Sequence, residues 1–159
     1  MTKFKPFTTT LIGSLPRTKE LLLLKESSNN SSKYEKAYKE KLLEETRRVV
    51  ELQKECGIDV IVSGELNRDN YMSYVAEVVD GIKLLNMEEV MSLTNNTDNF
   101  SKSLEEMDAA DDTMNSPICF SKLDTKKRLN DFEFGILKEL VDGDIKCTLP
   151  SPYLLTRSM

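Results

Sequence analysis

Apolar positions along this chain gather in short runs separated by longer amphipathic stretches. Thr8 to Ile12 reads as a short buried strand ended by Gly13. Pro16 and Arg17 then lead into a brief apolar helix, TKELLLLKE, with Thr18 as its N-cap. SSNNSS is a polar break. From Ser32 to about Cys56 the spacing is helical: Tyr34, Tyr38, Leu42, Val49, Leu52 and Cys56 lie along one face, with Lys and Glu on the other. Gly57 is placed to stop that helix. The run IDVIVSGE is too short for a helix and rich in β-branched residues, which predicts a strand buried on both faces and hence a parallel sheet.

Asp69 to about Ile82 reads as a further helix, with Tyr71, Tyr74, Val75, Val78 and Val79 apolar. A poorly patterned stretch of about residues 86–116 is rich in Ser, Asn, Asp and Glu; its acids do not follow calcium-loop spacing, so it reads as a solvated excursion. PICFSKL predicts a third strand, and NDFEFGILKELVDG a helix stopped at Gly143. IKCTLPSP predicts a fourth strand broken by Pro150, and PYLLTRSM a helix with Pro152 in its first turn. Four successive βα units, with links long enough for right-handed crossovers, imply an α/β fold, either doubly wound or barrel. The expected organisation is one domain over 1–159 with a polar loop insertion at about 86–116. The last element is a helix of barely one turn, so the expectation is part of a larger architecture.

Composition narrows the function. The chain has 159 residues, 39% hydrophobic and 31% charged, which is the balance of a globular protein. Its net charge of -5 comes from interspersed acids and bases, with no basic patch or arm, so nucleic acid is not an expected partner. The longest clear apolar run, Leu21 to Leu24, is far short of a membrane span. The N-terminus has no apolar signal region, and a cytoplasmic location is expected; the Asn30 and Asn95 sequons carry no weight there. Cys56, Cys119 and Cys147 are odd in number and widely spaced, and are expected to be buried free thiols. The sequence contains no histidine.

In both α/β architectures, sites form at the carboxyl ends of the strands. Here those ends carry Ile12-Gly13-Ser14, then Ser63-Gly64-Glu65 followed by Arg68 and Asp69, then Leu149-Pro150-Ser151-Pro152. If the first two strands are neighbours, Ser14 and Glu65 emerge on one rim. Backbone N–H groups and a hydroxyl hold a carboxylate, and a carboxylate beside them holds an ammonium, which suits an amino acid. The same residues are also ordinary turn chemistry, in which Glu65 caps the next helix or pairs with Arg68.

Three segments, TTTLIGSLPRTKEL, QKECGIDVIVSGELNRDNYMSYVAEVVDGI and IKCTLPSPYLL, resemble in order and separation the catalytic barrel of cobalamin-independent methionine synthase. The resemblance covers most of the chain and the N-terminal half of the family's barrel. It implies half of a TIM-type (β/α)8 barrel with parallel strands, and transfer of a methyl group from a methylated folate to the thiol of homocysteine. Zinc is implied for the intact enzyme, where it lowers the thiol pKa. Carried over by motif, Ile12, Gly13, Ser14 and Glu65 bind homocysteine or methionine, and Arg68 and Asp69 support the site. The family's zinc ligands are a His-x-Cys pair, a Glu and a further Cys in the barrel's second half. No metal, no catalytic residue and no activity are therefore expected of this chain alone, nor is Cys56, Cys119 or Cys147 expected to act as a ligand. The run Leu66-Asn67-Arg68-Asp69-Asn70 departs from the family's second acid and Asn-Asp pair. A C-terminal half or a second copy is the expected protein partner. The alternatives are a non-catalytic half-barrel binding or assembly module, and another methyltransferase, corrinoid-type or uroporphyrinogen-decarboxylase-like barrel.

Overall fold

The first helix begins where the sequence places its cap. In the computed structural model, which describes residues 4–72, 74–93, 116–125 and 128–158, α1 spans Lys19–Asn30 and the Thr18 hydroxyl accepts from the Leu21 N–H at 3.3 Å. That hydroxyl also donates to Glu45 Oε1 at 3.0 Å, tying α1 to α2 (Glu35–Glu55). Burial pushes the Glu45 carboxyl up, but the Thr18 hydroxyl, Arg48 and Lys41 together hold it below its ordinary value. The expected break at SSNNSS shrinks to Ser31. Ser27 and Ser28 send their hydroxyls back to the Leu23 and Lys25 carbonyls at 2.8 and 2.7 Å, so α1 runs through them. After a 3-10 turn at Ser32–Tyr34, α2 ends at Cys56, with Gly57 at φ +71°.

The chain divides into two compact units, Met1–Asn67 with Asn130–Thr148, and Arg68–Leu129 with Leu149–Met159. In the first unit α2 serves two cores. Leu42 and Val49 pack with Leu21 and Leu66; Val50 packs with Ile61, Leu137 and Val141. The buried stripe therefore swings to Val50 and Gln53 in the last turns, leaving Leu52 and Cys56 exposed against expectation. β1 (Ile61–Val62) is buried and pairs in parallel with β4 (Ile145–Lys146), and Val60 forms a parallel bridge with Thr10. The helix α5 (Asp131–Leu140) supplies Leu137 to the core. Gln53 acts as a partner strand from within α2: its amide donates to the Val62 carbonyl at 2.9 Å and accepts from the Val62 N–H at 3.0 Å.

The first, second and fourth expected strands thus run parallel, with β1 central. The first is a single bridge rather than a buried strand. Thr9 and Thr10 are exposed and spend their hydroxyls on the Asp59 carboxylate at 2.8 Å and the Val60 carbonyl at 2.9 Å, an edge arrangement.

The second unit departs further from expectation. The helix expected over Asp69–Ile82 is only α3 (Val75–Val78), and β2 (Asp80–Leu85) follows at once. β2 pairs antiparallel with β3 (Ser116–Asp124), with a register shift between Asp80 and Ile82. Gly81 lies at φ +91° in that irregularity, where a Cβ would stand 2.6 Å from the Lys122 carbonyl oxygen. The third expected strand therefore belongs to a two-stranded ribbon, not to the parallel set, and the described residues form an α/β fold without four repeated βα units. The excursion of residues 86–116 opens with α4 (Met87–Leu93), whose capping box joins Asn86 and Glu89 by two 2.9 Å bonds. Residues 94–115 lie outside the described residues. α6 (Pro152–Ser158) begins at Pro152 as expected. Cys56 and Cys119 are exposed and Cys147 is half-buried, correcting the expectation of buried thiols. Among the described residues no helix is long and apolar enough to cross a membrane.

The Asp59 carboxylate accepts from both the Thr9 N–H and the Thr9 hydroxyl, and these bonds hold it below the ordinary aspartate value. A carboxyl whose pKa falls on folding stabilises above its unfolded value, near pH 4, and that contribution drains away as pH drops through the folded value. Asp59→Asn is therefore expected to flatten the loss of stability below about pH 4, read as urea midpoints across pH. An unchanged acid limb would show that this contact contributes nothing.

Candidate functional site

Three parallel segments deliver their carboxyl ends to one place in the first unit. The segment after Thr10 brings Gly13, the turn after β1 brings Glu65, and the residues after β4 bring Thr148. The turn itself is unusual. Gly64 sits at φ +80° and Glu65, which carries a side chain, at φ +55°. Glycine meets the first requirement at little cost; for Glu65 the left-handed conformation must be held in place by its surroundings. The Leu15 N–H donates to the Gly64 carbonyl at 2.9 Å, locking the Gly13–Leu15 segment against the turn. Ser63 Oγ accepts from the Glu65 N–H at 3.2 Å.

Residues Val60 to Leu66 are all buried, so Glu65 is a carboxylate held at the floor of the turn, 8% exposed. Thr148 donates its hydroxyl to Glu65 Oε1. Gly13 is buried against the same group: a Cβ there would collide with Glu65 Oε1 and stand 2.9 Å from Thr148 Cγ2. Only a residue without a side chain lets the backbone come so close to that carboxylate. Lys146 Nζ donates to the Leu11 carbonyl, fastening the segment before Gly13 to β4.

The expected site residues therefore divide. Gly13 and Glu65 are brought together. Ser14 is exposed on the neighbouring backbone, and Ile12 is 94% exposed. Arg68 and Asp69 belong to the second unit, where the buried Arg68 guanidinium lies 4.1 Å from the Tyr74 ring centre and Asp69 is exposed. Thr148 was not expected; its signal was its place at the end of the fourth strand, one residue before the Leu149-Pro150 pair taken as that end. The residues do not fit a zinc site: the chain has no histidine, and among the described residues no three of His, Cys, Asp and Glu gather as ligands. Chemically, the arrangement offers a buried, hydroxyl-braced carboxylate beside accessible backbone, which is binding and orienting equipment.

The sequence profile of the family described as "Cobalamin-independent synthase, Catalytic domain" matches residues 7–138. A 5-methyltetrahydropteroyltriglutamate--homocysteine methyltransferase from Coxiella burnetii (strain RSA 331 / Henzerling II) is 36% identical over 78 residues, 49% of this chain and 10% of that protein. The protein of the same name from Dictyostelium discoideum is 36% identical over 75 residues, 47% of this chain and 9% of its own length. The one from Thermodesulfovibrio yellowstonii is 35% identical over 82 residues, 52% and 11% respectively. Among solved structures, a B12-independent methionine synthase from Shewanella sp. W3-18-1, in complex with selenomethionine, shares the fold with a TM-score of 0.56 at 16% identity. That match covers 95% of this chain and 40% of that one. The matched segments span about a tenth of the curated relatives' length.

Gly13→Ala sets a methyl group against the Glu65 carboxylate and 2.9 Å from Thr148 Cγ2, so both side chains must move; a destabilised but folded protein is expected. The Thr148 methyl and Glu65 carboxyl NMR resonances should shift while the Val50 and Leu137 methyls stay in place. Unmoved Thr148 and Glu65 signals would contradict the close approach.

Proposed function

The chain belongs to the family of cobalamin-independent synthase catalytic domains, and from that premise we propose that it carries the amino-acid-binding rim of a methionine-forming methyltransferase. In this reading the methyl group passes from a methylated folate to the homocysteine thiol. The chain's parallel strands form part of one half of a TIM-type barrel, completed by a C-terminal half or a second copy. The observation that carries the reading is the packing of the Glu65 carboxylate against Gly13, at the ends of parallel strands.

Each contact has a physical task. The Glu65 carboxylate accepts charge-assisted hydrogen bonds from the ammonium of the amino acid, and these strengthen in a site closed to water. The Thr148 hydroxyl keeps one carboxylate oxygen oriented. The Gly13–Ser14 backbone and the Ser14 hydroxyl, next to that carboxylate, take the substrate carboxylate. Holding both ends of the zwitterion fixes where the thiol projects, which is what a methyl transfer needs from a binding rim. Because no zinc-ligand set gathers among the described residues, the part proposed for this chain is binding and orientation, without methyl transfer on its own.

Calorimetric titration of L-homocysteine and L-methionine into the chain tests the reading. Saturable binding is expected, weakened at least about tenfold by Glu65→Gln, as befits loss of a charged hydrogen-bond partner. A smaller loss is expected for Ser14→Ala. No binding by a folded chain, or equal binding by Glu65→Gln, would contradict the proposal.

A further inference from the structure

We infer that Glu133 is a positioning residue for Glu65, acting through the Ser63 hydroxyl; the inference rests on the amino-acid-binding reading of Glu65. Glu133 lies in the first turn of α5 and is 5% exposed, whereas Asp131 and Glu139 of the same helix face solvent. A carboxylate so deeply placed costs stability unless it is hydrogen-bonded, so its bonds mark a purpose. Glu133 Oε2 accepts from Ser63 Oγ at 3.1 Å, and Ser63 Oγ accepts from the Glu65 N–H at 3.2 Å. A hydroxyl has one proton, and an ionised carboxylate only accepts. Committing the Ser63 proton to Glu133 leaves the hydroxyl lone pairs to receive the Glu65 N–H.

That amide belongs to the residue at φ +55°, where the backbone needs holding. The residue that precedes α5 reaches the other end of Glu65. Asn130 Nδ2 donates to the Thr148 carbonyl at 3.1 Å, and the Thr148 hydroxyl donates to the Glu65 carboxylate. The start of α5 thus braces Glu65 twice, at its backbone through Glu133 and Ser63, and at its carboxylate through Asn130, the residue that precedes the helix, and Thr148. Glu133 acts through these groups and need not touch the substrate.

Amide hydrogen exchange at Glu65, read alongside L-methionine calorimetry, tests the inference on Glu133→Leu, Glu133→Gln and Ser63→Ala. Glu133→Leu is expected to speed Glu65 amide exchange and weaken binding by about tenfold each, while the Val62 amide is unchanged. Glu133→Gln, whose amide oxygen still accepts the Ser63 proton, is expected to restore both. If Glu133→Leu does not fold, Ser63→Ala carries the test with the same two readouts. Unchanged Glu65 exchange in a folded Glu133→Leu or Ser63→Ala, or no restoration by Glu133→Gln, overturns it. If the unaltered chain binds no amino acid, the reading of Glu65 fails separately, and the exchange data alone decide whether Glu133 positions it.

Discussion

Two consecutive left-handed residues, Gly64 and Glu65, set the geometry on which the rest of the site depends. Directly after β1 they turn the chain so sharply that a glutamate side chain is left under the strand ends rather than in solvent. Such a turn is stable only when its hydrogen bonds are made. Here the Gly64 carbonyl is taken by Leu15 and the Glu65 amide by Ser63. The space is tight as well: a Cβ at Gly64 would stand 3.3 Å from atoms of both Leu15 and Val49. Glycine at this position thus satisfies a backbone angle and a packing limit together.

The scaffold around that turn is held by polar groups used in place of missing secondary structure. β1 is two residues long, and Gln53 extends its hydrogen bonding from within α2. Buried in this way, one amide satisfies both main-chain groups of Val62, each of which would otherwise cost about 1–3 kcal/mol. Glu45 performs the matching task between α1 and α2, accepting from Thr18 and Arg48 while the Lys41 ammonium stands 3.6 Å from it. Apolar packing through Val50, Ile61, Leu137 and Val141 then fixes α2 and α5 against β1, and so fixes where the first turn of α5 meets the site.

Much of the first unit was legible in the sequence because its signals are local. A threonine cap, a long amphipathic run, a stop glycine and a β-branched run each bear on their own segment, and Thr18, α2, Gly57 and β1 all appear where they were expected. That Gly13 and Glu65 lie at the ends of neighbouring strands was legible from the same signals, whereas Ser14, the residue expected beside Glu65, is exposed. The failures have non-local causes. Gly81 reads as part of a helical pattern until the Lys122 backbone lies across it, and that neighbour is about forty residues away. Thr9 and Thr10 look like core strand until Asp59 claims them for an edge. Thr148 and Glu133 become functional candidates only once β4 and α5 are in place, because each acts through a bond to a residue more than sixty positions distant.

The crystal structure of this chain with L-methionine is the most direct test of the account. The predicted result places the ammonium within about 3 Å of the Glu65 carboxylate and the ligand carboxylate at the Gly13–Ser14 backbone. Methionine ordered elsewhere, or absent from that rim at saturating concentration, would contradict the claim that these strand ends form an amino-acid site.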